Sequence, residues 1–348
     1  MKKKRVTRED VAKRAGVSTA VVSYVINDGP RPVSPETRAK VEKAVEELGY
    51  YPSELARSLK LQKSLTIGLI IPNVNNPVYG EIARSMERVC MEKGYLVLLC
   101  NSGRDPQHER KCVHMLRAKQ VDGVVIMPSH TPVELAQFLE QAHIPTIVLE
   151  HDLPEIHCIA ADDLHGGRVA TQHLIELGHR RIGLIRREPS GATSSQRLVG
   201  YRQALESAGI AFDPSLVVET EAGQEAGYLA MQRLLALSEP PTAVFTHNDV
   251  LALGAMLAIR AARLSIPEDI SVVGYDDTAG SAYLNPPLTT VNYPKAEMGR
   301  QAAHRILRLA QDEGDLPART IILPTELVVR DSTAPPARSV SSSLVAKE

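Results

Sequence analysis

From residue 66 the chain alternates short apolar runs with longer runs of helical period, in two successive series. The first series is Thr66-Ile67-Gly68-Leu69-Ile70-Ile71, a helix over Val78 to Lys93, Leu96-Val97-Leu98-Leu99, a helix over 107–119, Gly123-Val124-Val125-Ile126, a helix over 132–142 and Thr146-Ile147-Val148-Leu149. The second starts at Arg181-Ile182-Gly183-Leu184-Ile185. It continues through a helix over 195–208, Val217-Val218, a helix over 224–236, Ala243-Val244-Phe245, a helix over 249–263 and Ser271-Val272-Val273-Gly274. Apolar β runs separated by helices imply parallel strands covered on both faces, because a parallel pair needs a crossover long enough to hold a helix. Two such series predict two lobes with a cleft between them. Ligands of open α/β sheets bind beyond the carboxyl ends of the strands, so the residues just after each strand are where a binding site is sought.

Those positions carry polar groups of complementary kind. Asp276 follows Val272-Val273-Gly274-Tyr275, Asn248 follows strand 243–247, Glu150 follows strand 146–149, and Arg197 opens the helix after strand 182–186. A carboxylate, an amide and a guanidinium converging on a cleft offer acceptors and donors in fixed geometry, which suits vicinal hydroxyls. Tyr79, after Asn75-Asn76-Pro77, and Tyr293, after strand 288–292, are candidates for the apolar wall of such a site. On residue types alone, a surface ion pair or a helix cap is the competing reading at each polar position.

The first 65 residues are different. They hold 14 Lys/Arg against 8 Asp/Glu, a net of +6, while the whole chain stands at −1. A basic head on an acidic body points to an anionic partner for the head alone. Within it, Thr7 is placed to cap a helix that carries Asp10 at its third position and Val11, Ala12 and Ala15 on one face. Gly16 ends that helix, and Ser18 caps a second from Thr19 to Ile26, which buries Val22, Val25 and Ile26. Ser34-Pro35-Glu36 starts a third, with Val41, Ala44, Val45 and Leu48 as its apolar face and Gly49 as its end. Two short helices across a tight glycine turn, covered by a third, predict a helix-turn-helix whose second helix lies in the major groove. A three-helix protein-interaction domain is the competing reading of this pattern.

The run Val6-Thr7…Asp10-Val11-Ala12…Ala15-Gly16-Val17-Ser18…Val22-Ser23…Ile26-Asn27…Val33-Ser34…Thr37-Arg38…Val41…Leu48-Gly49-Tyr50…Pro52…Ala56-Arg57-Ser58-Leu59 resembles the LacI/GalR family of bacterial repressors. The resemblance implies that Ser18, Thr19, Ala20, Ser23 and Tyr24 form the recognition helix, with positions 19, 20 and 24 setting base preference. A threonine hydroxyl and an alanine methyl are suited to base edges, the latter to a thymine methyl. Thr7, Asn27 and Arg38 fall at positions for phosphate contacts, which position without specifying. Ser53 to Lys60 matches the family's hinge helix, too short to be stable alone. In it, Leu59 aligns with the residue that wedges into the minor groove, flanked by Arg57 and Lys60.

The resemblance continues through Gly178-His179-Arg180-Arg181-Ile182-Gly183, Arg197…Gly200-Tyr201, Asn248-Asp249…Ala252-Leu253-Gly254 and Val272-Val273-Gly274-Tyr275-Asp276-Asp277. It implies a periplasmic-binding-protein-like effector domain. Asp276, Arg197 and Asn248 then match effector contacts, Glu150 stands where relatives have Asp, and Thr193 matches a further contact position. The chain is expected to cross between lobes three times. Ala222-Gly223 replaces the stacking aromatic of some relatives, which favours a sugar over a planar purine.

The expected architecture is an N-terminal helix-turn-helix headpiece (1–52), a hinge helix and linker (53–65), and an α/β effector domain of two doubly wound lobes (66–330). The first lobe takes 66–161 and 293–320, the second 162–292 and 321–330. The Ser/Pro/Ala-rich segment 331–348 is expected to be a disordered tail without leucine heptads. No run of about 18 apolar residues predicts a transmembrane helix. The basic start is followed by Thr7-Arg8-Glu9-Asp10 rather than an apolar stretch, so no secretory signal is expected. Cys90, Cys100, Cys112 and Cys158 lie outside any CxxC pattern, consistent with a reduced cytoplasmic setting. No GxGxxG, GxxxxGK[ST] or GxSxG motif and no tight metal-ligand cluster is present, so neither a cofactor nor catalysis is expected. The expected function is that of a dimeric repressor of operator DNA controlled by a small effector, a sugar before a purine. An activating regulator and a cytoplasmic sugar-binding protein are the alternatives.

Overall fold

The computed structural model describes residues 6–27, 29, 31–51, 63–128, 132–153, 156–187, 192–311 and 317–337. The chain divides into two compact units, Met1–Ser64 and Leu65–Glu348.

The first unit is the three-helix head: α1 (Arg8–Ala15), α2 (Thr19–Ile26) and α3 (Pro35–Leu48). Local chemistry sets each end. Thr7 and Asp10 form a reciprocal capping box: the Thr7 N–H donates to the Asp10 carboxylate at 2.8 Å, and the Asp10 N–H donates to the Thr7 hydroxyl at 3.3 Å. Gly16 takes the left-handed φ of 66° that lets α1 end and α2 begin three residues later. Ser18 and Ser34 cap α2 and α3, and Pro35 occupies the first position of α3. Val11, Val22 and Val41, one from each helix, are fully buried at the centre, with Ala12, Val25, Ala44 and Tyr50 around them. Ala15, Ile26, Val45 and Leu48 pack half-buried at the margin. Residues 53–60, expected to be the hinge helix, lie outside the described residues, and with them Arg57, Leu59 and Lys60.

The second unit contains two six-stranded sheets. The first is built from β1 (Thr66–Ile71), β2 (Leu96–Asn101), β3 (Gly123–Ile126), β4 (Thr146–Leu149), β5 (His157–Ala161) and β11 (Thr320–Leu323), in the order 11-5-4-3-1-2. All its pairings are parallel. The second contains β6 (Ile182–Arg187), β7 (Val217–Thr220), β8 (Ala243–Thr246), β9 (Ser271–Tyr275), β10 (Thr289–Asn292) and β12 (Glu326–Val328), in the order 12-10-9-8-6-7. It is parallel except for the β10–β12 pair. The helices are α4 (Pro77–Glu92), α5 (Pro106–Ala118), α6 (Pro132–Ala142) and α11 (Lys295–Ala310) for the first lobe, and α7 (Asp163–Glu176), α8 (Ala192–Ser207), α9 (Gln224–Leu235) and α10 (Asp249–Ala261) for the second. The chain passes between sheets after β5, after β10 and after β11. One apolar cluster runs from Ile67 and Leu69 of the first sheet to Phe245 and Tyr275 of the second, so the lobes share part of their core.

Two boundaries expected from the sequence move. The third crossing follows Leu323 rather than residue 320, because β11 pairs with β5 through Leu323. The tail does not loosen at 331. Ser332 is fully buried; its hydroxyl accepts from the Thr289 N–H at 2.8 Å and donates to the Val272 carbonyl at 2.6 Å. His179 and Ser271 both hydrogen-bond the Ala334 carbonyl. Composition marks this segment as poor in apolar residues but is blind to hydrogen bonds that fasten it along the second sheet.

Candidate functional site

On the head, Ser18, Thr19 and Ala20 are exposed at the start of α2, and Ser23 and Tyr24 are half-buried one turn on. Thr7, Ser18 and Asn27 are exposed but have local duties. The first two are caps, and the Asn27 amide donates to the Ser23 carbonyl at 3.0 Å. Arg38 donates to the Val25 carbonyl at 3.4 Å, tying α3 to the end of α2. Thr19 and Ala20 serve no cap, which leaves their side chains free to define a surface.

In the body, all seven residues expected to bind an effector line one cavity. Tyr79 comes from α4 after β1, Glu150 from the end of β4, Thr193 and Arg197 from α8 after β6, Asn248 from the end of β8, Asp276 from the end of β9 and Tyr293 from the end of β10. The parallel strands of both sheets thus deliver their carboxyl ends to one place, as the topology requires. The cavity itself is almost closed, at about 10 Å³, room for about one water. It adjoins a larger chamber of about 330 Å³ that shares Glu150 and Thr193 and adds His151, Asp163 and Gln196.

Arg197 is the most constrained side chain in the site. Its Nε donates to Asp163 at 2.8 Å, its Nη1 donates to the His247 carbonyl, and its guanidinium carbon lies 3.4 Å from the centre of the Tyr275 ring. Burial opposes its charge, but Asp163, Tyr275 and Asp276 outweigh that and hold it protonated. Two glycines bring it there. A Cβ on Gly200 would stand 2.2 Å from the Leu164 carbonyl, and one on Gly167 2.4 Å from the Arg197 carbonyl, so α7 and α8 approach closely only without side chains. Asp163 opens α7, and that approach sets it against Arg197.

The carboxylates are in a different state. Asp276 is only 4% exposed, and no hydrogen bond from a described residue reaches its carboxylate or that of Glu150. Burial pushes the Asp276 carboxyl well above its ordinary range, against the pull of Arg197. Burial raises Glu150 likewise, against Arg187. Burial also pushes the Tyr79 hydroxyl up to about 12. Glu150 and Asp276 sit at φ of 63° and 107°, a left-handed region that costs a non-glycine residue of order 1 kcal/mol or more. The Lys295 ammonium holds the second of these turns. It donates to the Asp276 carbonyl, and to Asn292 Oδ1 and the Tyr293 carbonyl at 3.0 and 3.3 Å. Two acceptors on strained backbone, Glu150 half-buried and Asp276 buried, line the cavity and can take hydrogen bonds from hydroxyls delivered there. Asn248 uses its carbonyl oxygen to cap α10 through the Leu251 N–H at 2.9 Å, which fixes its amide nitrogen at the cavity.

Asn76, Arg187 and His247 also line the cavity and were not anticipated. Nor were the supports Asp163 and Lys295. Arg187 was legible in principle, as the last residue of β6. Asp163 and Lys295 act through partners far away in sequence, so no local pattern announces them. Ala222 and Gly223, where an aromatic wall was considered, do not line the cavity.

Comparison with known proteins places these observations. Residues 7–53 match the family model for bacterial regulatory proteins of the lacI family, and residues 171–333 match a periplasmic binding protein-like domain. The chain is 40% identical over 331 residues to the HTH-type transcriptional repressor PurR of Haemophilus influenzae (strain PittEE), covering 94% of this chain and 98% of that one. It is 39% identical over 332 residues to the ribose operon repressor of Haemophilus influenzae (strain ATCC 51907 / DSM 11121 / KW20 / Rd), covering 94% and 98%. Among solved structures, the Lac repressor dimer bound to operator and the anti-inducer ONPF superposes with a TM-score of 0.85 at 32% identity, covering 95% of this chain and all of that one.

Proposed function

The chain belongs to the LacI family of bacterial regulatory proteins, and on that premise we propose that it is a transcriptional repressor whose hold on operator DNA is set by a small polyhydroxylated ligand, a sugar, in the interlobe cavity. Its relatives in the comparisons are repressors with ligand-binding domains. The observation that carries the ligand class is the pair of carboxyl groups of Glu150, half-buried, and Asp276, buried, which take no hydrogen bond from a described residue and face Asn248 and Thr193 across one cavity. Acceptors without donors suit hydroxyl groups.

The operator is read by the exposed start of α2, with Thr19, Ala20 and Tyr24 discriminating bases and Thr7, Ser18, Asn27 and Arg38 placed toward the backbone. Ser23 shares that face. Arg57, Leu59 and Lys60 keep the minor-groove role that the resemblance gives them. The protein works as a homodimer. β2 is an edge strand with Leu96 and Leu99 exposed, and Met91 lies exposed at the end of α4, which is apolar surface that a second subunit would cover. Because the cavity is narrow, about 10 Å³, a ligand larger than a water must rearrange the residues around it. That rearrangement links it to the DNA-binding units, and operator DNA must change the ligand's affinity by the same factor.

Thermal unfolding of the purified protein across a panel of mono- and disaccharides, their phosphates and purines tests this reading. A binding ligand raises the unfolding temperature by mass action. Asp276→Ala is expected to abolish both that shift and the ligand's effect on a site-specific operator complex. A full response in Asp276→Ala would remove the carboxylate from the site, and no site-specific DNA complex under any condition would remove the repressor.

A further inference from the structure

Resting on that reading of the cavity, we infer that the ligand carries an anionic group, a phosphate or a carboxylate on its sugar, and that Arg104 and Arg187 grip it from opposite lobes. Arg187 ends β6 of the second sheet and lines the cavity. Arg104 follows β2 of the first sheet, in a turn where it takes a φ of 62°. The Nε of each is buried and has no hydrogen-bond partner. Among the described residues neither makes an ion pair, whereas the neighbouring Arg197 is committed to Asp163 at 2.8 Å and Lys295 to oxygens of the 276 and 292–293 turns.

The two guanidiniums are close enough to feel each other. Arg187 loses basicity chiefly by burial and next by the charge of Arg104. Tyr79, Glu150 and His247 line the cavity together with Arg187, and Arg104 acts on the same three groups. His247 is fully buried there with its Nδ1 unpartnered. A buried donor left unsatisfied costs more than a hydrogen bond returns. Glu150 offsets part of the Arg187 charge without pairing with it, and Arg104 adds a second cation. A hydroxyl would answer the donors alone. An anion answers the donors and the remaining charge, and its oxygens match the planar fork of a guanidinium. The carboxyl oxygens of Glu150 and Asp276 accept from hydroxyls, so the ligand's hydroxyls are directed to the acids and its charge to the arginines.

Calorimetric titration of the full-length wild-type protein with ribose 5-phosphate, glucose 6-phosphate and gluconate, each beside its neutral parent sugar and beside inorganic phosphate alone, tests the inference. At least one anionic sugar is expected to bind tenfold or more tighter than its parent, and the phosphate and carboxylate arms show which anion is taken. Arg187→Gln is expected to weaken the anionic ligand about tenfold to a hundredfold and to shrink its advantage over the parent sugar. Arg104→Gln is expected to act in the same direction. Neutral sugars binding as tightly as their anionic forms would overturn the inference and leave the sugar-binding cavity standing. No binding by either class would overturn both. The wild-type comparison decides the matter even if a variant fails to fold.

Discussion

The head and the cleft handle polar chemistry in opposite ways. In the head the candidate contact groups are outside: Ser18, Thr19, Ala20 and Asn27 face solvent around a small apolar core centred on four valines. In the cleft they are inside: Arg197, Asp163, Asp276 and Lys295 are each buried and held by side chains or carbonyls from other helices and strand ends. A partner as large as a DNA duplex is met by an exposed surface, where each group costs little to display. A small ligand is met by groups already stripped of water, each of which must be matched by something or remain costly. Mutations in the two regions should therefore differ in size and in reach.

The largest expected effect is at Arg197. Arg197→Met leaves Asp163 buried without its cation and should cost the effector unit about 3–5 kcal/mol, read from urea unfolding. A loss under about 1 kcal/mol would mean that the pair is as solvated as an ion pair on the head, and the contrast would fail. Next is Asp276→Asn. Burial keeps the Asp276 proton on in the folded protein over a pH span where the unfolded chain, with an ordinary value of 3.8, has released it. Its stabilising contribution is thus complete below that value and is lost as pH rises toward the raised folded value. The ligand-free Asn variant should gain on wild type as pH rises above the unfolded value of 3.8. A difference flat between pH 4 and 8 would show a carboxyl that ionises freely. The smallest is Thr7→Ala, which removes the capping box and should cost about 1 kcal/mol, confined to the head. Amide exchange in α1 should rise while the body's core strands stay protected. Equal loosening of both units would deny their independence.

The same contrast explains what the sequence disclosed. The head was legible down to its helix ends because caps and left-handed glycines act within four residues: α2 runs over Thr19–Ile26 as its serine cap and Asn27 require. The cleft was legible where topology does the work. Strand ends must meet in an open α/β fold, so Glu150, Asn248 and Asp276 could be named from their positions alone. What escaped was chemistry between distant segments. His157–Ala161 was not read as a strand, and the Arg197–Asp163 pair spans two helices brought together by Gly167 and Gly200. The segment at Ser332 looked disordered because its order rests on hydrogen bonds to Thr289 and Val272, which composition does not record.

The narrowness of the cavity, about 10 Å³ beside a chamber of about 330 Å³, has a consequence for dose. A ligand larger than that space binds only molecules in which the lining side chains have moved apart, so the concentration needed for half response exceeds the intrinsic dissociation constant by the inverse of that fraction. With about 1% of molecules so arranged, the threshold stands roughly a hundredfold higher. The packing that narrows the site therefore sets a signalling threshold apart from the contacts that choose the ligand. A substitution that loosens that packing without touching those contacts would make the regulator respond to less ligand while preferring the same one.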